Sequence, residues 1–177
     1  MQKGENNVAF IDGQNLYLGT TKLKESWEID LVRFRIYLQK KYGVSRAYYY
    51  VGFSTEGMKQ LYKKIQEAGF IIVFKFHPES LASNKKGNID SDLIFDAMEM
   101  MYKEKDSFGK VVLVSGDGDY LRLVMFLIKE SKFKKVLFPS QKNASSLYKK
   151  ITRQYFANLN NPDTKGKIGR EKGALGS

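Results

Sequence analysis

Apolar and polar positions follow two rhythms along this chain. Val8–Ile11, Ala47–Phe53, Phe70–Phe76, Lys110–Val114 and Lys134–Phe138 are short runs rich in β-branched and aromatic residues. Such runs read as strands, and continuous ones such as VVLV at 111–114 fit burial on both sides. Between them, Ile29–Tyr42, Thr55–Ala68, Ile89–Lys105 and Asp119–Ser131 carry apolar residues at helical spacing, and Ala144–Tyr155 reads as one helix or two short ones. Gly43 and Gly69 sit where two of these helices should stop. Strands alternating with helices predict an α/β fold with a parallel sheet covered on both faces.

Domain limits follow from the same pattern. One folded domain is expected over residues 1–157, a length that suits a single core. From Asn158 onward, NLNNPDTKGKIGREKGALGS is polar, Gly-rich and poor in large apolar residues, and predicts a disordered basic tail over 158–177. Ser80–Asn88 reads as a polar, basic loop. No apolar run approaches the ~20 residues of a membrane span, and the N-terminus lacks a signal-peptide core. A soluble, cytoplasmic protein is expected.

Composition narrows the chemistry. The chain has no cysteine and one histidine, His77. Disulfides, thiolate nucleophiles and cysteine-bearing zinc sites are excluded, and a Ser-His-Asp triad is a poor fit. Thirty Lys and Arg against 19 Asp and Glu give a net charge of +11, which favours a polyanionic partner.

Acids are scarce, yet six of the nine aspartates fall in three segments. FIDGQNLY (10–17) places Asp12 directly after the first strand, KKGNIDSDLIFDAM (85–98) opens a helix, and LVSGDGDY (113–120) places Asp117 and Asp119 after the fourth strand. Ligands of open parallel sheets bind beyond the carboxyl ends of strands. Carboxylates gathered there repel one another unless a cation shares the site. Mg²⁺ or Mn²⁺ is the natural partner, because hard cations take oxygen ligands. At ~100° per residue, Asp90 shares a stripe with Ile94, Ala97 and Met101 and faces inward, whereas Asp92 and Asp96 align elsewhere and are expected to be lateral or solvated. The rival explanation is ordinary capping. Asp12, Asn15, Ser115 and Asp119 could each cap a helix or order a turn.

FIDGQNLY, KKGNIDSDL, LVSGDGDYLRLV and KKVLFPSQKNASSLYKK, in that order, resemble the NYN domains of the PIN-like nuclease superfamily, closest to the LabA-like branch. The resemblance runs from about Asn7 to Phe156. It implies a Rossmann-like, three-layer PIN-like fold with a mainly parallel five-stranded sheet ordered 3-2-1-4-5, and a metal-dependent nuclease acting mostly on RNA. By the same resemblance, Asp12, Asp90, Asp117 and Asp119 are catalytic metal ligands. Asn15 binds metal-bound water or orders its loop, and Ser115 supports a ligand acid. Lys85 and Lys86, just before Asp90, and Lys142, after the fifth strand, are expected to hold the nucleic-acid backbone.

The expected reaction is phosphodiester hydrolysis by a metal-activated water, as in an endoribonuclease. RNA is preferred over DNA as the partner, and a homodimer is plausible. A non-catalytic RNA-binding or regulatory module remains the alternative. A phosphatase ranks lower, because Asp12-Gly13-Gln14 lacks a D-x-D nucleophile motif.

Overall fold

A computed structural model describes residues 5–52, 56–75 and 89–170 of the chain. Six strands form one all-parallel sheet: β1 (Asn7–Asp12), β2 (Val44–Val51), β3 (Ile71–Phe74), β4 (Val111–Val114), β5 (Phe133–Phe138) and β6 (Phe156–Asn158). Their order is β3-β2-β1-β4-β5-β6, the expected order extended by one edge strand. Every residue of β1 and of β4 is buried, as central parallel strands require.

The helices are α1 (Gly13–Leu18), α2 (Leu31–Tyr42), α3 (Lys59–Glu67), α4 (Asp90–Lys103), α5 (Leu121–Lys129) and α6 (Pro162–Ile168). On one face, α2 packs Phe34 and Leu38 against Ala9, Ile11 and Val112. On the other, α4 and α5 pack Leu93, Ala97, Val124 and Leu127 against Val8, Phe10 and Leu113. Alternation of the strand residues therefore feeds two cores, the geometry of a three-layer sandwich. Asp30 caps α2 by accepting from Arg33 N at 3.0 Å, and Gly43 ends it at φ 62°, a left-handed conformation that glycine adopts without penalty.

Ala144–Tyr155 takes the second of its two expected forms, two short helical turns of 3-10 type at Ser146–Lys150 and Arg153–Tyr155. The expected tail is corrected, because residues 158–170 belong to the fold. Asn158 ends β6, Leu159 and Ile168 are buried, and Ile29 bridges Gly169 antiparallel. The segment is mostly polar, but its two large apolar residues point into the core. Asn161 caps α6 by accepting from Asp163 N at 3.0 Å, with Pro162 at the first helical position. That Asn-Pro start is the signal that low hydrophobicity hid. Residues 171–177 lie outside the described residues.

Topology places the site. From β1 the chain winds toward β2 and β3, and from β4 it winds toward β5 and β6. The winding reverses between β1 and β4, which are hydrogen-bonded neighbours with Ile11 opposite Val114. Loops diverge at such a switch point and leave a crevice at the carboxyl edge. Asp12 and Ser115 are the next residues on those two strands.

Candidate metal centre

Asp12 is 4 % exposed and caps α1, with Oδ1 accepting from Asn15 N at 2.9 Å. Gly13 makes this start possible. A Cβ there would lie 2.5 Å from both the Tyr49 ring and the Tyr50 carbonyl oxygen. The α1 helix, absent from the sequence expectation, presses the Asp12 turn down on β2.

Asp90 is the first residue of α4 and is buried with Leu93, Ala97, Met100 and Met101. The periodicity argument is thus realised, and Asp90 is the member of its segment that faces the crevice. Asp92 and Asp96 are half-buried rather than solvated. The Tyr50 hydroxyl donates to Asp96 Oδ2 at 2.7 Å, away from the crevice.

Asp117 and Asp119 stand on the turn after β4. Asp117 is half-buried and Asp119 exposed. Ser115 Oγ accepts from Asp117 N at 3.1 Å, and Asp117 Oδ1 accepts from Asp119 N at 3.0 Å. Capping and convergence therefore both hold, since the caps fix the backbone that aims the acids. One carboxylate oxygen from each of Asp90, Asp117 and Asp119 lies within 4.8 Å of the others.

Two tyrosines tie these pieces together. Tyr120 is fully buried, and its hydroxyl lies 2.6 Å from Asp90 Oδ1 and 3.0 Å from Asp12 Oδ2. A hydroxyl carries one proton, so it serves one carboxylate at a time. With both acids ionised, one of the two oxygen–oxygen contacts lacks a proton, and a shared proton or a nearby cation relieves it. The second tyrosine, Tyr148, donates to the Asp117 carbonyl oxygen at 2.8 Å. Nothing in their sequence spacing distinguishes either one from a core aromatic.

Asn15 acts as a strap. Its Oδ1 accepts from Gly116 N at 2.8 Å and joins the β1 turn to the β4 turn. Of the two roles expected for this amide, ordering the loop is the one its oxygen performs. Lys142 is exposed in the turn after β5, at the same edge. Lys85, Lys86 and His77 lie outside the described residues. Arg35 is structural, since it donates to the carbonyls of Gly69, Val44 and Ser45.

Electrostatics fit a cation. Burial pushes the Asp12 carboxyl above its ordinary value, and the charges of Asp90 and Asp117 add to that, while hydrogen bonds from Asn15 and Tyr120 oppose it. Burial and the neighbouring Asp12 charge also push the Tyr120 hydroxyl far up, so it stays a proton donor. Among the described residues, neither Asp117 nor Asp119 forms an ion pair with Lys or Arg. Asp117 and Asp119, gathered with Asp90 and beside the buried Asp12, suit a hard divalent ion with oxygen ligands.

Residues 7–159 match the NYN domain family. The chain is 26 % identical over 127 residues to the low amplitude and bright protein LabA of Synechococcus elongatus, a distant homologue. That alignment covers 67 % of this chain and 65 % of LabA, so the chain spans about two thirds of its relative. The crystal structure of a protein of unknown function from Vibrio parahaemolyticus has the same fold, with TM-score 0.71 and 22 % identity over 96 % of this chain and 99 % of that one. With the match running from β1 through Leu159 and including all four acids, this chain belongs to the NYN domain family, of the PIN-like nuclease class.

Proposed function

We propose that the protein is a metal-dependent endoribonuclease that hydrolyses phosphodiester bonds at the β1–β4 crevice. The observation that carries this reading is the meeting of Asp90, Asp117 and Asp119 within 4.8 Å at the carboxyl edge of the sheet. Asp12 lies beside them, joined to Asp90 through Tyr120. Mg²⁺ or Mn²⁺ would be held by Asp90, Asp117 and Asp119, with Asp12 held beside Asp90 through the Tyr120 hydroxyl they share. Such an ion supplies Lewis acidity, polarising a phosphoryl group and lowering the pKa of a water.

The chain's own residues do the rest. Asn15 and Tyr148 hold the 115–117 turn, which keeps Asp117 aimed at the crevice. Tyr120 fixes the buried pair of acids. Lys142, Lys149 and Lys150 are exposed on the turns after β5 and form no ion pair among the described residues, so they are available to phosphates. Together with the net charge of +11, this supports a nucleic-acid partner whose binding weakens with salt.

The reading is tested by incubating the protein with Mn²⁺ or Mg²⁺ on labelled RNA and DNA, beside Asp→Asn variants at 12, 90, 117 and 119. Cleavage of RNA leaving 5′-phosphate ends, abolished by chelator and by Asp117→Asn, is expected. Salt-sensitive RNA binding with neither metal uptake nor cleavage would replace it with a non-catalytic module.

A further inference from the structure

A cavity of about 670 Å³ opens directly beside the acidic crevice, between α1 and α3. Its wall includes Gly13 and Gln14, which follow Asp12 in the chain, and Ile89, which precedes Asp90. Three tyrosines, Tyr17, Tyr49 and Tyr62, also line it. The volume falls in the range of small-molecule sites.

We propose that this cavity receives an unpaired nucleobase of the strand whose phosphate lies at the carboxylates, and so selects single-stranded nucleic acid. The proposal rests on the nuclease reading for the position of that phosphate.

Contiguity is the first argument, because Gly13, Gln14 and Ile89 of the cavity wall adjoin Asp12 and Asp90 in the chain. Chemistry is the second. Aromatic rings stack on any base, and the exposed Gln14 amide offers both a donor and an acceptor to a base edge. Tyr17 is 47 % exposed, with Lys22 Nζ 5.8 Å from its ring centroid, so a cation stands beside this ring. Charge is the third. The one acid of the lining among the described residues, Glu28, is paired with Arg170 at 2.8 Å, and Lys64 also lines the wall. A base in a duplex reaches such a cavity only by leaving its stack, whereas a single strand offers its bases freely.

The test measures binding rather than cleavage. Fluorescence anisotropy with Asp117→Asn protein and Mg²⁺ compares a short single-stranded RNA with the same strand carrying one abasic residue, and with its duplex. The abasic strand should bind about tenfold more weakly at one register. Tyr17→Ala should cost a similar factor on the intact strand and nothing further on the abasic one. Leu61→Trp, which fills the cavity from a 39 % exposed position, should do the same. Equal affinity for intact and abasic strands at every register, or additive losses in both variants, would overturn the proposal. Base-dependent binding in a protein that never cleaves would sink the nuclease reading alone. Cleavage by the unsubstituted protein with no base dependence would sink the cavity alone.

Discussion

The acidic crevice has a buried half and an open half, and they are built differently. Asp12 and Asp90 are nearly sealed and share the hydroxyl of a fully buried tyrosine. Asp117, half-buried, and Asp119, exposed, stand on a turn in which Asp117 Oδ1 accepts from Asp119 N. The buried half is arranged in advance and is electrostatically costly to the metal-free fold. The open half is where a cation and a substrate arrive. The contrast is the expected division of an active site between preorganisation and access.

Substitutions should separate the halves. The largest effect is expected in the open half. Asp117→Asn or Asp119→Asn should lower Mn²⁺-dependent RNA cleavage by about a hundredfold or more, the range seen when a charge-stabilising group is lost. Thermal stability in chelator should barely change, because these side chains form no ion pair among the described residues. Calorimetry of the same variants separates loss of metal from loss of chemistry.

Next comes the bridge of the buried half. Tyr120→Phe removes one oxygen and keeps the ring, so packing against α4 and α5 persists. Loss of a group that orients ligands should weaken Mn²⁺ affinity by roughly 10- to 100-fold. Unchanged affinity would mean that the two acids are placed by their backbones alone.

Asn15→Ala tests the strap between the halves. The buried Gly116 N–H would lose its acceptor, an unsatisfied donor that costs about 1–3 kcal/mol. A urea melt checks the stability. Cleavage should fall with it, since the Asp117 turn is released.

The smallest effect has the opposite sign. Folded Asp12 keeps its proton to higher pH than the unfolded chain does. Between the ordinary carboxylate range and that raised value the native state binds more protons, so this group's contribution to stability falls as pH rises. Asp12→Asn should therefore raise the melting temperature in chelator at neutral pH. The gain should shrink as pH falls toward about 4, below which both states hold the proton. A destabilised variant at neutral pH would show that the hydrogen bonds from Asn15 and Tyr120 outweigh burial.

The two halves also differ in how far their sequence betrays them. Asp12, Asp117 and Asp119 are legible because they follow apolar strands predicted to end at one sheet edge, although capping accounts for each singly, and Asp90 because a 100° wheel turns it inward with Ala97. Strand order followed from the resemblance. Tyr120 was not legible as a bridge, since a tyrosine opening a helix packs in most folds and only the crossing of α4 brings Asp90 to its hydroxyl. Asn15 was ambiguous for a related reason, because its partner, Gly116, is 101 positions away. The α6 segment was misread because two buried residues, Leu159 and Ile168, anchor it amid polar neighbours. Hydropathy averages over a window, whereas docking depends on where the few apolar side chains land. Among the described residues, no helix is long and apolar enough to cross a membrane.

The central claim is that this crevice is a divalent-metal site. The most direct measurement is a calorimetric titration of Mn²⁺ into the chelator-stripped protein at neutral pH, repeated with Mg²⁺ as competitor and with Asp90→Asn and Asp117→Asn. The account predicts saturable binding that Mg²⁺ displaces and that each substitution weakens at least about tenfold. No saturable heat, or the same isotherm for the unsubstituted protein and both variants, would contradict it.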